Sequence, residues 1–235
     1  MSKLVVTVDL DWAPEPAIEE TIEFLLQNSI HPTVFITHRS KYIETKMSQL
    51  EVGLHPYFSP DSSHGQTIDE VVQHITSLPY NFPGYRCHRF ATCNLSAQAM
   101  KSAGMKISSN VCTDLEYIRP FKNRYGLTEI PIFLEDGGYL WRQHSLKITP
   151  IFKELFLSEG TKVILIHPMH FVINTPNFDY MHQIKQSTNR NEWKDMTAKT
   201  LNRLCWKGVG IRDFLKELIQ ISSQTCRLSE LYHDV

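Results

Sequence analysis

The chain has 235 residues, of which 42% are hydrophobic and 21% are charged, and its formal net charge is −1. This composition predicts one globular domain with a sizeable core, and the near-neutral charge argues against nucleic-acid or membrane-surface binding, which depends on clustered Lys and Arg. Five cysteines at irregular positions, without a CxxC pair, argue against a disulfide framework and against a structural zinc site.

The sequence has no pattern typical of membrane insertion or secretion. The longest apolar runs, such as VILI at 163–166, are much shorter than a membrane span, and the first residues, MSKLVVTVDLDW, enter a strand without the pattern of a signal peptide. We therefore expect a cytoplasmic protein without an integral membrane segment. No linker, repeat or low-complexity tract divides the sequence, so residues 1–235 are expected to form one catalytic domain.

Strand-like and helix-like segments alternate along the chain. The apolar run KLVVTVDL at 3–10 is typical of a strand buried on both faces, and residues 14–30 follow with helical spacing behind an acidic first turn. Further strands are predicted at 32–37, 50–56, 84–90, 105–111, 127–136 and 161–171, and further helices at 67–78, 95–104, 148–160 and 210–222. Residues 174–207 are polar with weak periodicity, which predicts a long surface excursion. The alternation favours a parallel sheet flanked by helices, as an open sheet or a closed barrel.

In both architectures the chemistry gathers at the carboxyl ends of the strands. The predicted strand ends carry Asp9, Asp11, His55, Arg86, His88, Glu135, Asp136, His167 and His170. Carboxylates and imidazoles at one rim suit zinc or another divalent first-row ion, which acidifies a bound water while a free carboxylate takes the proton. Taken singly, each residue has a plainer explanation, because a D-x-D pair often caps a helix and a His-Pro pair can simply end a strand. Their joint order favours a hydrolytic metal site.

Five stretches resemble the successive motifs of the polysaccharide deacetylases, the family-four carbohydrate esterases of the NodB-homology type. In chain order they are VVTVDLDW, EVGLHPYF, GYRCHRF, EIPIFLEDGG and VILIHPMHF, and they are distributed across most of the chain. The GLHP and IHPMH motifs are most similar to the variant found among surface-polysaccharide biosynthesis proteins. The resemblance implies an α/β fold, a distorted seven-stranded (β/α) barrel, and metal-dependent removal of an acyl group, usually N-acetyl, from a sugar.

The resemblance also assigns roles to the residues that match the family's motifs. It implies that Asp9 is the catalytic base and Asp11 a metal ligand, and residues two apart on a strand share a face, so both can approach one water. Arg86 matches the arginine that orients the base, and an always-charged guanidinium would keep Asp9 ionised. His167 matches the general acid that protonates the leaving amine. Asp136 stands where an aspartate supports that acid, although the usual tryptophan context is missing.

The stretch around His55 departs from the family pattern. His55 matches the first histidine ligand, but typical members carry the second one four residues later, where this chain has Ser59. His64, in DSSHG, is the nearest candidate, because glycine and serines could let the loop fold back toward the strand end. We therefore predict Asp11, His55 and His64 as ligands of a divalent ion, most plausibly Zn2+, with His88 as the reserve ligand and the role of His170 left open.

The expected substrate is an acylated amino sugar, linked to a nucleotide or a lipid because no secretion signal is present. One alternative is a magnesium-dependent phosphatase of the haloacid-dehalogenase type, whose opening motif VVTVDLDW also resembles, with Thr37 and IFLEDGG in place of later motifs. It leaves GLHP and LIHPMHF unexplained, and Ala13 replaces the usual threonine or valine. A second alternative is a deacetylase-like sugar-binding protein without turnover. The presence of both Asp9 and His167 argues against it, because binding alone needs neither a base nor an acid.

Overall fold

A curled mixed sheet forms the centre of the computed structural model, which describes residues 2–222 and 224–234. Its strands in this part of the chain are β1 (Ser2–Asp9), β2 (Thr33–Ile36), β3 (Glu51–Leu54), β4 (Gly84–Tyr85), β5 (Ile107–Ser108), β6 (Phe121–Lys122), β7 (Thr128–Glu129), β8 (Leu134–Glu135) and β9 (Gly160–Ile166). Their spatial order is β6-β7-β5-β4-β3-β2-β1-β9-β8. Neighbouring strands run parallel except β6 and β7.

The predicted barrel-like α/β fold is confirmed, and the strand count differs from seven for a local reason. Residues 128–135, predicted as part of one strand, form two strands, because β7 pairs with β5 while β8 pairs with β9. Pro131 lies between them and has no N–H to donate to a continuous ladder. The short antiparallel strand β6 is an addition at the edge. Residues 128–135 thus connect the two ends of the curled sheet, which gives the distorted barrel.

Helices connect the strands. In the described residues they are α1 (Glu15–Gln27), α2 (Lys41–Lys46), α3 (Ile68–Thr76), α4 (Asn94–Ser102), α5 (Asp136–Trp141), α6 (Pro150–Leu157), α7 (Pro168–Ile173), α8 (Phe178–Gln186), α9 (Arg190–Lys194), α10 (Ala198–Leu204) and α11 (Ile211–Ile221), with 3₁₀ helices at His88–Phe90 and Leu228–Asp234. None of these helices is long and apolar enough to cross a membrane.

Strand β1 is buried on both faces, as its continuous apolar sequence predicts. Leu4, Val6 and Val8 pack in the larger hydrophobic cluster, which includes residues of α1, α7 and α11. Val5 packs on the opposite face, in a second cluster that includes Phe35 of β2 and Val163 of β9. Since side chains alternate along a strand, Asp9 lies on the same face as Val5. Strand β1 therefore contributes core side chains on both faces and ends with the carboxylate of Asp9.

Candidate active site

The carboxyl ends of the parallel strands bring the predicted residues to one end of the sheet. Asp9 ends β1 and Glu135 ends β8, while His55, Arg86 and His167 directly follow β3, β4 and β9. The strand order explains why these side chains lie together, because β4, β3, β2, β1, β9 and β8 are successive neighbours in the curled sheet.

A tight turn after β1 positions Asp11. The Leu10 N–H donates to the carbonyl of Phe35, and the Ala13 N–H donates back to the carbonyl of Leu10. Within this turn Asp11 and Trp12 have φ values of 45° and 55°. Residues with side chains rarely adopt this left-handed conformation, and such strain is concentrated at functional sites. The turn places Asp11 among histidines from two other strand ends.

Asp11, His55 and His88 form a compact group of candidate metal ligands. His55 Nε2 lies 3.0 Å and His88 Nδ1 lies 2.9 Å from Asp11 Oδ1. One ligand atom from each residue lies within 4.8 Å of the other two. Burial alone would raise the pKa of Asp11, but the hydrogen bonds with the two histidines outweigh burial and hold that pKa well below its usual range. One carboxylate and two imidazoles are a donor set that zinc accepts.

His64, the predicted third ligand, is not brought to this group. The Tyr57 N–H donates to His64 Nδ1 at 3.1 Å, and His64 Nε2 then donates to the carbonyl of Thr37 at 2.9 Å. Both ring nitrogens are therefore engaged with the backbone. His64 is 4% exposed and stacks on His74. His64 thus bonds the backbone at Tyr57 and Thr37, whereas His88 lies with Asp11 and His55 in the candidate group.

Arg86 and Asp9 form a buried ion pair beside the ligand group. Arg86 is 0% exposed, and its Nη1 donates to Asp9 Oδ1 at 2.8 Å and to Thr7 Oγ1 at 2.9 Å. Its other described bonds go to the carbonyl and hydroxyl oxygens of Ser109. The second carboxylate oxygen of Asp9 lies 3.7 Å from His55 Nδ1, a buried nitrogen without a hydrogen-bond partner. Asp9 is thus fixed at one oxygen, and it lines the cavity described below.

His167 and Asp136 form a second acid–histidine pair on the other side of Asp11. Asp136 Oδ1 accepts from His167 Nδ1 at 2.5 Å, and Asp136 Oδ2 accepts from the His167 backbone N–H at 2.7 Å. His167 Nε2 lies 3.6 Å from Asp11 Oδ2. Burial opposes protonation of His167, but Asp136, Asp11 and Glu135 reverse this effect and raise its pKa to about 10. The aspartate with the weakest sequence support is therefore the one most closely bound to the histidine.

Glu135 and His170 complete the inner part of the site. Glu135, Asp136 and His167 also bring three ligand atoms within 4.8 Å of one another, but Asp136 is engaged twice by His167, and Glu135 accepts from the Gly138 N–H at the start of α5. Burial raises the pKa of Glu135. His170 Nδ1 lies 3.2 Å from the hydroxyl oxygen of Thr175, and burial lowers the pKa of His170 to about 4, so its ring is neutral at pH 7. These contacts favour the Asp11 group as the metal site.

A cavity of about 1030 Å³ opens over these residues. Its far wall is formed by side chains of α8, the following loop and α9, with Trp141 of α5 at the side. Sequence reasoning missed this wall, because residues 174–207 show little hydrophobic periodicity. Capping residues were the available signal: Asn189 and Glu192 form a capping box, and Asn177 and Thr197 accept N–H bonds at the starts of α8 and α10.

Trp12 belongs to the cavity wall. Its ring contacts the rings of Tyr57, His64 and His88, with centroid distances of 5.7, 5.4 and 5.1 Å. A flat, partly exposed indole beside the ligand group suits the apolar face of a pyranose ring.

Comparison with known proteins agrees with this fold. The sequence matches the family model described as WbmS-like polysaccharide deacetylase over residues 6–212. A protein from Bordetella bronchiseptica, described as a polysaccharide deacetylase involved in O-antigen biosynthesis, is similar in structure with a TM-score of 0.81 and 18% identity, covering 93% of this chain and 90% of that chain. A Mycobacterium smegmatis protein, described as a polysaccharide deacetylase, is similar with a TM-score of 0.55 and 13% identity, covering 100% of this chain and 90% of that chain. No curated protein sequence gives a significant match. The phosphatase alternative finds no support in these matches.

Proposed function

The chain belongs to the WbmS-like polysaccharide deacetylase family, and we propose that it is a metal-dependent deacetylase that removes an N- or O-linked acyl group, which we assign as acetyl, from a sugar precursor. One observation carries the proposal. A candidate metal-binding group, Asp11, His55 and His88, lies between a buried carboxylate–arginine pair and a carboxylate–histidine pair at the base of one cavity. Hydrolysis of an amide or ester needs a base, an acid and an electrophilic centre in this proximity.

We propose that Asp11 Oδ1, His55 Nε2 and His88 Nδ1 hold a divalent ion, which we assign as zinc. The three atoms fit because His55 Nε2 and His88 Nδ1 both point at Asp11 Oδ1, and an ion would replace the protons of these two hydrogen bonds. Three protein ligands also leave a coordination position for water or substrate. When bound, the ion would acidify a water molecule and polarise the acyl carbonyl. His88 replaces the predicted His64 in this assignment.

Asp9 is proposed to accept the proton of the attacking water. Arg86 holds Oδ1 with its charged guanidinium, while Oδ2 has no bond to that arginine. His167 is proposed to donate a proton to the leaving group. Asp136 binds Nδ1, which fixes the orientation of the ring and leaves Nε2 on the side of Asp11. The two groups thus approach the candidate ion from different strand ends, as a base and an acid on opposite sides of a scissile bond should.

The test is the release of acetate from N-acetylated amino sugars and their nucleotide-linked forms by zinc-loaded protein. Asp9→Asn should lower the rate by about 10²- to 10⁴-fold, because the loss of a general base has effects of this size. Asp61→Asn is the matched control, since Asp61 is exposed and does not line the cavity. Circular dichroism and metal content should be unchanged in both variants. Sugar binding without acetate release by the zinc-loaded wild type would instead support the non-catalytic binding protein.

A further inference from the structure

The charged residues that line the cavity are separated by sign. The acidic ones, Asp9, Asp11 and Glu135, lie at the strand ends. The basic ones are Arg89, which follows the proposed ligand His88, and Lys185, Arg190 and Lys194 on α8 and α9. A chain with a net charge of −1 therefore places four cations around the outer part of one cavity.

The acidic residues already have hydrogen-bond partners, whereas the basic ones have no carboxylate partner among the described residues. Asp9 is bound by Arg86, Asp11 by two histidines, and Glu135 by the start of α5. In the described part of the chain, none of the four cavity cations forms an ion pair with a carboxylate within 4.0 Å. The acids nearest in sequence to the cations of α9, Glu192 and Asp195, do not line the cavity, and Glu192 accepts from the Asn189 N–H at the start of α9. The cations are therefore available to a ligand.

Backbone conformation and ring contacts support a built arrangement. Arg89 and Phe90 have φ values of 56° and 55°, two successive left-handed residues without a glycine, directly after His88. Such strained residues persist where the surrounding structure holds them and concentrate at ligand-binding sites. On the opposite wall, the Lys185 ammonium lies 5.8 Å from the centroid of the Trp193 ring, which joins α8 to α9 by a cation–π contact.

We infer that the substrate is an anionic sugar, whose phosphate or carboxylate group is held by Arg89, Lys185, Arg190 and Lys194 while its acyl group reaches the Asp11 group. This inference rests on the proposed deacetylase function and narrows its substrate class. Arginine presents a planar fork of donors that matches phosphate and carboxylate oxygens, and lysine adds a point charge. Neutral sugar polymers offer these cations no negatively charged partner. A sugar joined to a diphosphate, or a uronic acid, does.

The experiment is calorimetric titration of the zinc-loaded protein with three probes: UDP-N-acetylglucosamine, N-acetylgalactosaminuronic acid and neutral N-acetylglucosamine. The wild type should bind at least one anionic probe more tightly than the neutral one, and added salt should reduce that preference. A preference for the nucleotide sugar identifies the anion as phosphate, and a preference for the uronic acid identifies it as carboxylate.

Paired variants locate the binding. Arg190→Gln/Lys194→Gln should raise the dissociation constant of the preferred anionic probe by about tenfold and leave that of the neutral probe unchanged. Lys199→Gln/Arg203→Gln removes the same charge from exposed positions of α10 outside the cavity lining and should change neither. Equal binding of all three probes by the wild type, or equal weakening by both double variants, would overturn the inference. Acetate release from neutral N-acetylglucosamine without any preference for anionic probes would overturn it while leaving the deacetylase function intact.

Discussion

Arg86 is the largest fully buried side chain of the described residues, and among them it pairs with one carboxylate, that of Asp9. Taking a charge out of water is costly, and the loss of one partner leaves the other uncompensated. Arg86→Met keeps much of the side-chain volume but removes the cation. We expect it to lower the free energy of unfolding by about 3–5 kcal/mol, measured by urea denaturation at neutral pH.

The control for that measurement is Arg39→Met. Arg39 also forms an ion pair, with Glu44 at 2.8 Å, but both side chains are in contact with solvent. Exposed pairs contribute little because water and salt screen them. Equal stability of the Arg86 and Arg39 variants would show that the buried pair does not stabilise the fold.

Asp136 is proposed to affect the reaction through His167, and its substitution tests this role. An asparagine at this position removes the negative charge that, against the effect of burial, raises the pKa of His167. An amide N–H donated to His167 Nδ1 would then leave the ring neutral, a weaker acid than the imidazolium. Asp136→Asn should therefore lower kcat by about 10- to 100-fold with unchanged zinc content. Asp114→Asn is the matched control, because Asp114 binds His144 at 2.8 Å at the surface and outside the cavity lining. A rate unaffected in Asp136→Asn would contradict its proposed role in positioning the acid.

At the scale of elements, the loop after His55 is held by a neutral histidine. Burial and then nearby His74 lower the pKa of His64 from 6.5 to about 4. Since the folded state disfavours the proton relative to the unfolded chain, this contribution to stability is complete above about pH 6.5 and is lost as the pH falls toward 4. Between pH 7 and pH 5 the loss is about 2 kcal/mol by linkage.

His64→Gln keeps an amide donor and acceptor but does not titrate in this range. We expect the stability of the variant to fall less than that of the wild type between pH 7 and pH 5, by about the same 2 kcal/mol, in urea denaturation at the two pH values. Parallel losses in the two proteins would show that His64 is not the group responsible. His31→Gln provides the control, because His31 is exposed.

The elements also show which parts of the fold and site are local properties of the sequence. The apolar runs predict β1 and the start of β9 closely, because strands buried on both faces carry their signal within a few residues. The strand predicted at 161–171 ends earlier, since β9 ends at Ile166 and residues 168–171 begin α7. The break at Pro131 and the helices between 174 and 207 were missed, since the first depends on two different pairing partners and the second on capping rather than periodicity. The local sequence also does not show that His88, and not His64, lies beside Asp11. His88 reaches Asp11 because the chain after β4 continues alongside Pro56, to whose carbonyl the His88 N–H donates.

For the whole molecule, the three proposed ligands come from different segments, after β1, after β3 and after β4. An ion that binds them would link segments that separate on unfolding, so it should stabilise the folded chain by about 2.7 kcal/mol when its free concentration is 100 times the dissociation constant. For a chain of 235 residues this corresponds to a rise in Tm of about 5–10 °C. Differential scanning calorimetry with zinc and with a chelator measures the shift directly.

His88→Ala should abolish the shift and the bound zinc, whereas His64→Gln should keep both, since both His64 ring nitrogens bind the backbone. If His64→Gln abolished the shift and the bound zinc while His88→Ala kept both, the third ligand would be His64. A shift in Tm specific to magnesium would argue against a zinc site.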